Sequence, residues 1–100
     1  MKAGSPDRDS VLRELAERGV TTVTLSGGCM EPALHDGEWV LVHRERPPRR
    51  GEVALLDCKG VLEIHRLGLN LGPWWLHKGD ASPHWGLARR EEILGVVGPG

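Results

Sequence analysis

The residues best suited to chemistry lie in one stretch, Ser26-Gly27-Gly28-Cys29-Met30-Glu31-Pro32-Ala33-Leu34-His35-Asp36-Gly37-Glu38, between two strand-like runs. It holds Cys29, one of the two cysteines of the chain. Gly27 and Gly28 free the backbone ahead of the thiol from the limits that a Cβ imposes. Pro32 fixes its own φ and biases Glu31 towards an extended conformation. His35-Asp36-Gly37 reads as a turn into the next strand. A thiol on a glycine-framed corner is suited to nucleophilic attack. A free cysteine also serves as a small buried apolar residue, and the local residues leave both readings open. His65 is the second candidate. Alternation along a strand puts it on one face with Val61, Glu63 and Leu67, either as a half-buried histidine bonded to backbone or as a base. Cys58, His35, His77 and His84 add soft ligand types, but the paired spacings C-x2-C and H-x3-H are absent. No metal and no cofactor is therefore expected.

These groups must be held by surrounding elements, and the pattern points to strands. Residues 1–6 read as a loose tail, with Ser5-Pro6-Asp7 as a helix start capped by Ser5 or Asp7. Val11, Leu12, Leu15 and Ala16 form an apolar stripe at helical spacing, and Gly19 stops it. This predicts one helix of about three turns that packs on a sheet; it is too little for a helix-turn-helix unit. Strands are expected at Val20 to Leu25, Trp39 to His43, Val53 to Leu56, Val61 to Leu67, Trp74 to His77 and Ile93 to Val97. Between them lie a basic loop from Arg44 to Arg50, a hairpin turn at Asp57-Cys58-Lys59-Gly60 that exposes Cys58, and a loop from Gly68 to Pro73. Strands at this spacing indicate a mainly β domain. A single domain over residues 1–100 is expected, with tail and helix in 1–19 and the β core in 20–97.

Taken together, Gly28-Cys29-Met30-Glu31-Pro32-Ala33-Leu34 and Gly37-Glu38 resemble the nucleophile box of the S24/S26 peptidases, the signal peptidases and self-cleaving LexA-like repressors. That box reads roughly Ser-Met-x-Pro-x-Leu-x-x-Gly-Asp. Further boxes follow in the family's order. Pro48 to Val53 looks like the step into the next strand, and Glu63-Ile64-His65-Arg66-Leu67 like the strand bearing the general base. His77-Lys78-Gly79-Asp80-Ala81 resembles the Lys-Gly-Asp-Asn box, and Glu92 to Val97 the closing strand. Cys29 stands where the family has serine, and His65 where bacterial members have lysine and archaeal and endoplasmic-reticulum signal peptidases have histidine. Glu38 and Glu52 replace aspartates, Gly27 replaces a serine that assists the oxyanion hole, and Ala81 replaces asparagine.

The resemblance implies a small, twisted, partly barrel-like antiparallel sheet with one short N-terminal helix. It places His65 beside Cys29, so that an imidazolium would favour the thiolate. Asp80 would accept the other ring N–H of His65 as the third member of a triad, or else merely close a turn. Gly28, Met30 and Pro32 would border the substrate and oxyanion site, with the oxyanion resting chiefly on the backbone N–H of Cys29. The implied activity is that of an endopeptidase cutting an extended peptide or protein precursor through an acyl-thioester; the alternative is a peptide-binding module that does not cut.

Composition narrows the partners. With 13 basic and 14 acidic residues the formal net charge is −1, which makes no case for nucleic acid. Trp74, Trp75 and Trp85 lack the interleaved basic residues of a base-stacking platform. No apolar run approaches the roughly 18–20 residues of a membrane anchor, and the N-terminal residues lack a signal peptide's apolar core. A cytoplasmic protein with reduced thiols is expected.

Overall fold

The computed structural model describes residues 2–3, 7–28 and 30–98. One helix, α1 (Arg8–Arg18), precedes most of a mainly β chain: β1 (Lys2–Ala3), β2 (Val20–Ser26), β3 (Trp39–His43), β4 (Val53–Cys58), β5 (Val61–Leu71), β6 (Trp74–Lys78), β7 (Gly86–Arg89) and β8 (Ile93–Gly98), with a short 3-10 turn at Arg90–Glu92. Asp7 caps α1, its carboxylate accepting from the Ser10 N–H at 2.9 Å. The alternative cap, Ser5, lies outside the described residues. The apolar stripe buries Val11 and Leu15 against the sheet. Arg8 reaches Asp57 on β4 at 2.5 Å and ties the start of the helix to the sheet.

The strands form one antiparallel sheet in the order β1-β2-β3-β8-β4-β5-β6-β7. β1 also pairs with β5 through Lys2 and Glu63, so the sheet curls partly round on itself, while β6 and β7 extend beyond the curl and leave it open. This is the partly barrel-like antiparallel architecture expected. β4 is covered on both faces: Ala54, Leu55 and Leu56 are each 0 % exposed, which explains its nearly continuous apolar run. Leu55 faces the larger core with Val11, Leu15, Val23, Leu25, Met30, Val40, Val42, Leu62 and Ile64. Ala54 and Leu56 face a smaller one with Leu67, Trp75 and Ala88. No helix among the described residues is long and apolar enough to cross a membrane.

Four details differ from the sequence reading. Lys2–Ala3 pair as a strand within the expected tail. β4 runs on through Cys58, and only Lys59 and Gly60 form the turn, with φ of 55° and 88°. Positive φ at both positions is what a two-residue hairpin with the sheet's own twist demands. β7 lies where the sequence predicts no strand. The expected loop at Gly68–Pro73 is strand as far as Leu71, with a tight turn at Gly72-Pro73.

That last difference shapes the site. At the hairpin end Leu71 pairs with Trp74 and Asn70 with Trp75, but further on Leu67 pairs with His77 and Arg66 with Lys78. An unbroken ladder would have matched His77 to Gly68. Two residues of β5, Gly68 and Leu69, therefore stand opposite Leu76 alone, which is a β-bulge. Glycine suits the spot because a Cβ there would lie 2.5 Å from the Trp85 ring. The single extra residue moves β6 by one step of the two-residue alternation, and so turns His77 onto the face that carries Leu67 and His65.

Candidate active site

The loop from Gly27 to Glu38 is stitched to itself and to the sheet. Gly27 N–H donates to the Asp36 carboxylate at 2.8 Å. Leu25 N–H donates to Glu38 C=O and Gly37 N–H to Leu25 C=O, closing the loop at its base. Inside it, Glu31 N–H donates to Gly28 C=O and Leu34 N–H to Met30 C=O. His35 Nδ1 lies 2.6 Å from Glu31 Oε2, and its backbone N–H donates to Glu38. The Glu31–Pro32 peptide is cis. Cys29 itself lies outside the described residues. Gly28 and Pro32 are exposed on the loop. Met30 is not at the cleft surface: it is 0 % exposed and packs in the larger core. A side chain without accessible surface anchors the loop and touches no substrate in this arrangement, which corrects its expected role.

His65 stands on β5 next to the smaller core, its side chain 16 % exposed. Its Nδ1 lies 2.8 Å from Nδ1 of His77, and its Nε2 lies 3.7 Å from Glu63 Oε2. Burial lowers the His65 pKa from 6.5 to about 4, against the opposing pull of the Glu63 carboxylate. His77 is 7 % exposed, and burial lowers its pKa too, with Glu63 and Glu92 opposing. At neutral pH His65 is thus a neutral imidazole.

Asp80 does not orient His65 here. Both its oxygens accept from Arg66, Nε to Oδ1 at 2.8 Å and Nη2 to Oδ2 at 2.7 Å. The guanidinium holds the carboxyl below the ordinary aspartate range. Consecutive strand residues point to opposite faces, so Arg66 and its partner lie across the sheet from His65. Arg66 also donates to Gly51 C=O at 2.8 Å, and the three elements are clamped together there.

Sequence reasoning grouped His77 with the Lys-Gly-Asp-Asn box and missed its place beside His65. Only the bulge brings it there, and the sole sequence signal for the bulge is Gly68. Cys58 is half-buried rather than exposed; burial foremost, and then Glu63, push its thiol pKa up to about 11. It stays protonated at neutral pH. Among the described residues no group of three or more His, Cys, Asp and Glu side chains is arranged to hold a metal ion.

On the Arg66 face lies a groove of about 470 Å³, walled by Leu69, Leu76 and Trp85 and edged by Arg50, Arg66 and Lys78. The Trp85 ring packs against Gly68, and the Lys78 ammonium lies 5.5 Å from its ring centre. Leu69, Trp85 and the nearby Leu87 are about half exposed.

Residues 5–97 match the family model described as peptidase S24-like. No curated protein matches the chain.

Proposed function

The chain belongs to the peptidase S24-like family, and from that premise we propose that it is an endopeptidase with Cys29 as nucleophile and His65 as general base. The observation that supports this reading is the setting of His65: it stands on β5, largely shielded, with burial lowering its pKa to about 4, in the stretch that resembles the family's base-bearing strand. A neutral imidazole accepts a proton as the thiol attacks; it does not hold a standing thiolate. In the first step the Cys29 sulfur bonds to the peptide carbonyl carbon as its proton passes to His65 Nε2. The C–N bond then breaks, His65 gives that proton to the departing amine, and an acyl-thioester remains. Water attacks the thioester, His65 takes its proton and returns it to sulfur, and a carboxylic acid leaves. The oxyanion rests on backbone N–H groups of the Cys29 loop. The substrate is an extended segment added beside a sheet edge.

The test is cleavage of a diverse peptide library by the natural sequence and by Cys29→Ala and Cys29→Ser. Cleavage present in the first and absent in Cys29→Ala supports the reading; cleavage that survives Cys29→Ala overturns it. A second reading, a peptide-binding module that does not cut, is favoured by the apolar groove with its cationic edge. Under it no form cleaves, while peptides bind and Arg50→Glu or Lys78→Glu weakens them.

A further inference from the structure

We infer that His77 positions His65, in the place a carboxylate takes in a Ser-His-Asp arrangement; this deepens, and rests on, the peptidase reading of Cys29 and His65. Two Nδ1 atoms 2.8 Å apart share one proton, so one ring donates and the other accepts. If His65 donates, its Nε2 carries a lone pair and is a base. If His77 donates, the proton of neutral His65 sits on Nε2, and that atom is no acceptor for the thiol. Once His65 has taken a proton, both its nitrogens are donors, and its Nδ1–H needs an acceptor in His77. The first arrangement passes to that state with no exchange between the rings. We therefore assign Nδ1–H to His65 and Nε2–H to His77.

The surroundings hold the accepting ring in place. His77 packs against the backbone of β7, where a Cβ on Gly86 would lie 2.6 Å from its Cε1 and 2.8 Å from its Nε2. The bulge at Gly68 and Leu69 sets the face on which it stands. Burial keeps it neutral. Among the described residues, the charged groups acting on it are Glu63 on β5, beside His65, and Glu92 before β8, and the positive charge of the chain's N-terminal amine opposes them, while β7 brings Gly86 against the ring. A neutral imidazole orients its neighbour as a carboxylate does but brings no charge. The negative charge for a transient His65 imidazolium comes from Glu63, 3.7 Å from Nε2. It also carries a liability absent from an aspartate: a proton on His77 Nδ1 removes the acceptor. The pair then titrates as a unit.

The experiment is a two-bond nitrogen–proton correlation spectrum of the full chain labelled with 15N-histidine at pH 7.5, repeated for His77→Phe and His77→Asn. The expected result is Nδ1–H on His65 and Nε2–H on His77 in the natural sequence. His77→Phe should release His65 to a mixture of tautomers, and His77→Asn, whose carbonyl oxygen accepts a hydrogen bond, should restore Nδ1–H. Iodoacetamide labelling of Cys29, read by peptide mass spectrometry from pH 5 to 9, should fall several-fold in His77→Phe, as the share of His65 with a basic Nε2 falls, and recover in part in His77→Asn. Nε2–H on His65 in the natural sequence overturns the inference, whatever the variants do. So does an unchanged tautomer together with an unchanged labelling profile in His77→Phe. Should His77→Phe fail to fold, the natural sequence and His77→Asn still decide it. The tautomer readout needs no substrate, so it separates this inference from the peptidase reading, which the Cys29→Ala comparison decides.

Discussion

Burial acts on His65 and His77 through the free energy of the charged ring, and that links the site to the stability of the fold. An imidazole in the unfolded chain takes up its proton near pH 6.5; folded His65 does so near 4. Between those values the unfolded state binds more protons. The stabilisation is complete above about pH 6.5 and is lost as the pH falls towards 4. Urea unfolding followed by circular dichroism at pH 7.5, 5.5 and 4.5 should show this loss, with a slope of at most ~1.4 kcal/mol per pH unit for each histidine. His65→Gln should flatten it. Asp57 and Asp80 have pKa values lowered by hydrogen bonds from Arg8 and Arg66, respectively. Their contribution is present above the ordinary aspartate pKa of 3.8 and disappears only as the pH falls below it, so the two windows are separable. The same burial argument sets how Cys29 and Cys58 should differ: the thiol pushed up to about 11 is the slower one to label.

At the scale of elements, β5 keeps the histidine pair and the Arg66 clamp on opposite faces of the sheet. His65 points to the smaller core while Arg66, its neighbour, clamps Asp80 and Gly51 on the other side. Replacing Arg66 by Met should destabilise the fold by roughly 1–3 kcal/mol, a loss of charge-assisted hydrogen bonds partly screened by solvent. Arg66→Lys should restore only part of that, since an ammonium lacks the planar fork that meets both oxygens; chemical denaturation measures both. The sequence showed most of this element and little of its register. The strands at 20–25 and 39–43 were legible from their branched and apolar residues. Gly86-Leu87-Ala88-Arg89 carries no such signal and is a strand because Trp74 to His77 offers it a partner. Gly68 read as a break because glycine ends strands more often than it kinks them, yet here it makes room for Trp85. The role given to Asp80 failed for a related reason: which of two neighbouring residues faces a site is decided by register, and a one-residue bulge inverts it.

For the molecule as a whole, the two cores lie on opposite faces of β4, and the smaller one adjoins the histidine pair. The larger one is closed by α1 through Val11 and Leu15, with Arg44 donating to the Leu15 carbonyl at its end. Leu15→Ala should cost ~2–4 kcal/mol and lower Tm by roughly 4–8 °C for each kcal/mol. Because the helix lies across the sheet from the histidine pair, the His65 and His77 nitrogen signals should stay where they are in that variant below its melting point. The placing of the indoles adds an optical consequence. With four tryptophans and neither tyrosine nor phenylalanine, light absorbed near 280 nm is taken up almost wholly by indoles in distinct settings. Trp75 is buried at 5 % exposure, Trp39 stands open at 66 % where β3 leaves the Cys29 loop, and Trp85 lies over Gly68 with an ammonium above its ring. A molecule arriving in the groove changes the emission of Trp85, and one arriving at the loop changes that of Trp39. The protein thus carries its own pair of optical labels, one for each face on which a peptide is to be sought.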